Sequence, residues 1–587
     1  GQTQTFEQKV PIQIYLLGYD QNTVKKNALL SGLPAGYAPV VRYPVFYGLP
    51  GRDVGLQFDF DYKVTYVNNN VSNNFFKYLQ KIGVAGNPTA FQAAYNDQQK
   101  NILDVTGPVL YIDGPSVEGW LAKNLPGRNP KGYTIVFVNW YGRSDFKFHV
   151  YTKTDVVDPD TGYNFGVARG SRKMIAWGGS ASRLWFYDLS AGPESWTNNY
   201  IVDEKDIDGD GIENYRMPPI WEYASNGYRA PSALSSDLGK VARFVAIDLL
   251  FTTSPLYDPM VTAPGLNGDK IVNVSMLEDD PASLGTDWLN TSYARDALRS
   301  FEPYYNWRMK VKDFNPINPG AQRALQIFGE VLQEDDCWNN FGTPFAELFC
   351  YFDMNRSAYV PTYKPNDYVA PVFAFNTTGA TLGSQFGLLG FADDNWIDGT
   401  QSYVFAFDAA EYRTLGYGFS TTIVHEIGHH IGMSHPHDGY DSEMGIDFGV
   451  DNPYYFSWSG DESSTIMSYN DLSDQFGTFD RDNMYRWEMA GYLNWSNELL
   501  GLIQADPNAN SVRNLVSMAN MSASDATRSF ANWDYLGAVK KAYQAFTLLS
   551  RAADQLGIQN PAVMAARIAV PSGTAPHEGD PIRFPDN

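Results

Sequence analysis

Cysteine is nearly absent: the 587 residues include two, Cys337 and Cys350. That excludes a disulfide framework and a cysteine-rich metal module. The pair can close one short loop in an oxidising compartment, or sit as two small buried side chains. Basic charge is also short, with 43 Lys and Arg against 66 Asp and Glu and a formal charge of −23. A surface this acidic repels the phosphates of nucleic acid and of anionic lipid, so neither is an attractive partner, and it favours solubility. No apolar run approaches the roughly 18 residues that a membrane span needs; Phe244–Phe251 is short and carries Asp248. The chain opens Gly1-Gln2-Thr3 with no initiator Met and no charged-then-apolar leader, as removal of a leader or trimming would leave it. Sequons at Asn70, Asn273, Asn290, Asn355, Asn376, Asn494 and Asn520 permit glycosylation. Together these features point to a secreted, extracellular or cell-surface protein.

What the chain does have is apolar and aromatic mass. Apolar residues make up 44% and aromatic residues 15%, enough to build several cores and to exclude a mainly disordered chain. The expected class is mixed α/β (α+β) in several domains. Residues 1–140 read as a mixed α/β domain, with strands over Val10–Leu17, Gly55–Val67 and Thr134–Asn139 and helices over Asn74–Ile82 and Pro88–Leu103. Residues 141–260 turn to Gly, Tyr, Trp and Asp with short strand-like runs. They close on a helix over Asp237–Phe251 for which Ser235 or Ser236 offers a cap. Residues 261–505 are expected to form the catalytic domain. It has strands over Lys270–Met276, Val369–Phe375 and Tyr403–Phe407, and helices over Asp287–Phe301, Ala321–Leu332, Thr421–Gly432 and Asp482–Ile503. Residues 506–569 read as helical, with Asp534–Leu556 presenting Tyr535, Ala538, Ala542, Phe546 and Leu549 on one side. The proline-studded residues 570–587 read as a flexible tail, and there is no internal repeat.

Histidine carries the chemistry. Of seven histidines, five lie between His425 and His437, in the run V-H-E-I-G-H-H-I-G-M-S-H-P-H. On a helix His425 and His429 share one face, with Cβ atoms about 5–6 Å apart, so both imidazoles can reach one Zn²⁺ at about 2.0–2.1 Å. Gly432 can end the helix in a conformation open to glycine and bring His435 back as a third ligand. Three neutral imidazoles leave a coordination position for water, the catalytic rather than the structural arrangement. Glu426 is angled to meet that water as general base. His430 points about 100° away from His429 and reads as a packing or hydrogen-bonding residue. His437 and Asp438 read as supporting groups or as part of a cleft wall. Solvated histidines on a polar helix would leave the apolar flanks Ile423, Val424, Ile427 and Ile431 unexplained.

A second segment, S-S-T-I-M-S-Y over Ser463–Tyr469, follows. Here the chain resembles the metzincin clan of zinc peptidases, whose His-Glu-x-x-His-x-x-Gly-x-x-His run is followed by a Met-containing turn. Ser434-His435-Pro436 and Met467-Ser468-Tyr469 are similar to the serralysin family. The calcium repeats of that family are missing here, and His437 stands where it often has Gly. The resemblance covers Phe419–Tyr469. It implies a zinc-dependent endopeptidase acting on protein or peptide substrates, with a twisted sheet, a zinc-binding helix and Met467 as an apolar floor under the zinc. It also implies that Tyr469 touches the metal or hydrogen-bonds the oxyanion, and that Glu426 carries a proton from water to the leaving amine.

A calcium ion is a second expected cofactor. In D-I-D-G-D-G-I-E-N, Asp206, Asp208 and Asp210 alternate ahead of Gly211. Ile212 would add its carbonyl and Asn214 its side chain, while Met217 stands where an EF-hand loop has its bidentate Glu. Two other readings compete with the peptidase: a non-catalytic cell-surface or extracellular scaffold that keeps a metzincin fold, and an attached carbohydrate-binding module suggested by aromatic runs such as Arg183–Tyr187. Aromatic stripes are more often core.

Overall fold

The computed structural model describes residues 4–41, 52–53, 55–88, 92–93, 96–97, 103–153, 159–161, 174–192, 219–227, 229–251, 268–332, 346–364, 367–392, 403–436, 457–469, 473–560 and 580–581. The chain is a mixed α/β protein built on two six-stranded sheets.

The first sheet comprises β1 (Phe6–Leu17), β2 (Gly36–Tyr37), β3 (Leu56–Tyr66), β4 (Tyr133–Val138), β5 (Ala176–Gly178) and β6 (Leu184–Asp188). Their order is β5-β6-β4-β1-β3-β2. β1 runs parallel to both neighbours, Ile12 facing Tyr62 on one side and Tyr133 on the other. Every residue of β4 and β6 is buried, as the unbroken apolar runs of covered parallel strands require. The aromatic run Arg183–Tyr187 therefore belongs largely to the core: Leu184, Trp185, Phe186 and Tyr187 are all buried in β6. Helices α1 (Asn69–Ile82) and α2 (Gly114–Asn124) cover one face. α1 starts ahead of the expected Asn74 because the Asn68 side chain accepts from Val71 N–H at 3.0 Å and caps it there. The helix expected over Pro88–Leu103 lies mostly outside the described residues.

Helix α3 (Leu234–Phe244) also begins earlier than its sequence indicates. Pro231 opens a tight turn that runs straight into it, so Ser235 and Ser236 fall inside the first turn and neither is the cap. Ser235 Oγ instead accepts from Lys25 N–H at 2.8 Å. From Val245 to Leu249 the helix widens into a π turn.

The second sheet is formed by β7 (Lys270–Glu278), β8 (Trp307–Phe314), β9 (Tyr368–Asn376), β10 (Leu388–Ala392), β11 (Val404–Asp408) and β12 (Asp580–Pro581), in the order β8-β7-β9-β11-β10-β12. β7, β8, β9 and β11 are parallel, and β10 runs antiparallel to β11. Edge strand β8 carries Lys310 and Lys312, charges that blunt an open edge. The helix expected over Asp287–Phe301 is divided. A short turn spans Gly285–Trp288, the chain is extended at Leu289 and Asn290, and α4 (Thr291–Phe301) starts with Asn290 accepting from Tyr293 N–H at 3.0 Å. α5 (Pro319–Glu330) and α6 (Ala346–Met354) pack on the opposite face. α7 (Ser420–His430) packs against β10, β11 and α4. α8 (Thr478–Ala505), α9 (Arg513–Ala531) and α10 (Tyr535–Leu556) follow.

One apolar cluster takes side chains from both sheets and from α3, α7, α8 and α10, including Ile14, Val241, Val274, Ile427, Met484 and Phe546. Polar ties reinforce it. Arg486 of α8 is buried and donates to Tyr133 Oη at 2.8 Å and to the Leu250 carbonyl at 2.7 Å. Arg183 forms an ion pair with Asp482 at 2.7 Å.

Candidate metal centre

Helix α7 is buried along its whole length, with Ile423, Val424 and Ile427 in the shared core. That fixes the rotation of the helix and brings His425 and His429 onto one side. At its end the Gly432 N–H bonds back to the His429 carbonyl at 2.8 Å and the Met433 N–H to the Gly428 carbonyl at 3.0 Å. Gly432 has φ +107°, which side chains rarely tolerate, and the chain turns there so that His435 comes back to the helix.

The three rings converge. Nε2 of His429 lies 3.2 Å from Nε2 of His425 and 3.0 Å from Nε2 of His435. Two ligands each about 2.0–2.1 Å from a tetrahedral zinc sit roughly 3.3 Å apart, so the separations fit one shared ion. The other ring nitrogens agree. Nδ1 of His425 faces the Ile466 carbonyl at 2.6 Å, and Nδ1 of His429 faces the Met433 carbonyl at 2.8 Å. A carbonyl only accepts, so each Nδ1 carries the proton and each Nε2 presents a bare lone pair to the other. A cation between them reconciles two facing lone pairs, so the donor set fits a metal. Among the described residues it is the one cluster of three such groups.

Met467 lies against the helix beside this point. A Cβ added to Gly428 would come within 2.4 Å of the Met467 sulfur, so glycine is what admits it. The turn around Met467 is fixed by hydrogen bonds: Met467 N–H donates to Thr465 Oγ1 at 3.0 Å, Ser468 Oγ to the Asp461 carbonyl at 2.6 Å, and Tyr469 N–H to Asp461 Oδ1 at 3.2 Å. The ring of Tyr469 sits 4.3 Å from that of His435, centroid to centroid. Glu426 is fully buried and lies beside β10, where a Cβ on Gly390 would reach within 2.8 Å of Glu426 Oε1. His430 is not part of the cluster; its Nδ1 hydrogen-bonds the Tyr368 hydroxyl at the start of β9.

The site thus brings His425, His429, His435, Glu426, Met467 and Tyr469 together. The candidate calcium residues Asp206, Asp208, Asp210, Ile212 and Asn214, as well as His437 and Asp438, lie outside the described residues. Cys350 is disulfide-bonded, and the chain's other cysteine, Cys337, also lies outside them. Sequence reasoning missed Gly390, Gly428 and Asp461, which act through backbone approach and buried hydrogen bonds and carry no motif of their own. It also missed the Ile466 and Met433 carbonyls that orient the rings. No protein-family model matches this chain, and no curated protein matches it either.

Proposed function

We propose that the chain is a secreted zinc-dependent endopeptidase of the metzincin kind. The observation that carries this reading is the convergence of three Nε2 atoms, 3.0 and 3.2 Å apart, with Glu426 next along the helix and Tyr469 beside His435. The mostly parallel sheet, the helix packed on it and the Met467 turn support the metzincin likeness. The bonded Cys350 supports an oxidising, extracellular setting.

A zinc ion bound there would acidify water and polarise a carbonyl, the chemistry that peptide hydrolysis needs. The protein's own groups do the rest. His425 and His429 are held in the required tautomer by the Ile466 and Met433 carbonyls. Glu426 takes the proton from the attacking water and passes it to the leaving amine. The Tyr469 hydroxyl donates to the oxyanion that forms on the scissile carbonyl. Calcium held by the acidic run Asp206–Asn214 remains part of the proposal as a structural cofactor.

Elemental analysis of the purified chain and cleavage of an unfolded protein test the reading together. One zinc per chain with metal-dependent cleavage is expected. Zinc without cleavage would favour the scaffold reading, and no bound metal would remove the peptidase reading.

A further inference from the structure

The start of α7 is held by a side chain from far away in the sequence. The residue before the helix, Phe419, offers no side-chain cap, and the first amides of a helix need acceptors. Asp160 supplies one of them. Its Oδ2 accepts from Ser420 N–H at 2.7 Å, its Oδ1 accepts from Asn290 N–H at 3.0 Å, and the Ser420 hydroxyl also donates to it. Asn290 is itself the cap of α4, so one carboxylate joins the beginnings of α4 and α7. Adjacent Thr161 Oγ1 donates to the Gly416 carbonyl at 3.1 Å. Gly418 makes the room: an added Cβ there would come within 2.3 Å of Asp160 Oδ2. The negative charge of Asp160 also faces the positive end of the α7 dipole.

We propose that Asp160 is a positioning residue for the metal centre, acting through the first turn of α7 on His425 and Glu426. The inference rests on the zinc-peptidase reading. His425 lies about 7.5 Å along the helix from Ser420, close enough for the order of the first turn to reach it. Without the carboxylate, the buried Ser420 amide loses its acceptor and the Asn290 amide keeps only Ser420 Oγ, at 2.7 Å, so the first turn of α7 that leads into His425 and Glu426 loosens. His435 and Met467 sit on other segments and stay in place. A displacement of about 1 Å at such a centre costs on the order of 10²-fold in rate.

The test compares wild type with Asp160→Ala, with Asp160→Asn, and with Gly418→Ala, which displaces the carboxylate without altering it. Two quantities are read: the zinc dissociation constant, by competition with a chelator of known affinity, and kcat and KM on an unfolded protein. Asp160→Ala and Gly418→Ala are expected to weaken zinc binding about tenfold and to lower kcat by about ten- to a hundredfold. KM should stay within about twofold, and Asp160→Asn, which keeps one acceptor, should recover part of the loss. Wild-type zinc affinity and kcat in whichever variants fold, even with lower melting temperatures, would reduce Asp160 to a structural role and overturn the proposal. A wild-type chain that neither binds zinc nor cleaves would overturn the peptidase reading instead.

Discussion

Adjacent residues on a helix point about 100° apart, so Glu426 cannot share the face of its neighbour His425. On the proposed reading it would therefore serve water and substrate rather than the metal. An amide at this position keeps the size of the side chain and loses the ability to take a proton. Glu426→Gln is expected to fold, to retain its zinc and to lower kcat by about 10²–10⁴-fold. Steady-state cleavage measured beside elemental analysis checks this, and a variant keeping most of the wild-type rate would remove Glu426 from the mechanism. At this scale the candidate site was largely legible in the sequence, because His425, Glu426, His429 and His435 sit close together along the chain and their spacing alone implies a shared ion. Gly390 and Asp160 reach the same helix from other elements. Only the folded backbone reveals them.

Period and propensity anticipate elements with strong patterns, such as the buried strand Tyr133–Val138 and the amphipathic helix Tyr535–Leu556, but not β8, β10, α2 or α6. Boundaries failed where a side chain decides them: Asn290 restarts a helix inside an apparently continuous pattern, and Pro231 starts α3 ahead of its serines. Strand β10 holds a feature that no pattern predicts. Gly390 pairs with Ala406 of β11, and a Cβ on it would lie 2.7 Å from the Phe405 carbonyl and 2.8 Å from Glu426 Oε1. A backbone carbonyl in the middle of a sheet yields little. Gly390→Ala is therefore expected to cost about 1–3 kcal/mol as overpacking does, and to lower kcat by moving β10 against Glu426. Zinc content should hold, because no histidine is touched. If thermal melting and turnover both match wild type, the close approach of β10 to Glu426 is wrong.

At the scale of the whole molecule, one apolar cluster runs through both sheets and the C-terminal helices, a union that composition and periodicity do not announce because it joins elements far apart in the sequence. A body of this kind buries charge as well as apolar mass. Asp408, at the end of β11, is such a group: burial pushes its carboxyl up to about 7, although Arg413 beside it pulls the other way at 3.0 Å. Arg413 is shared, since it also donates to Ser283 Oγ and Asn376 Oδ1, and the negative charge of Asp160 adds to the upward shift. A carboxyl raised in the fold above its ordinary value near 3.8 binds its proton more tightly folded than unfolded. Its contribution to stability is therefore complete below about pH 4 and is lost as pH rises through 7, a span of about 4 kcal/mol. Asp408→Asn replaces the titrating carboxyl with a group that stays neutral throughout. Relative to wild type, the variant should gain stability steadily between pH 4 and 7 and level off above that, as read from melting temperatures of the two proteins across the range. The opposite slope, with wild type gaining on the variant as pH rises, would mean that the ion pair with Arg413 outweighs desolvation and that Asp408 is charged in the fold.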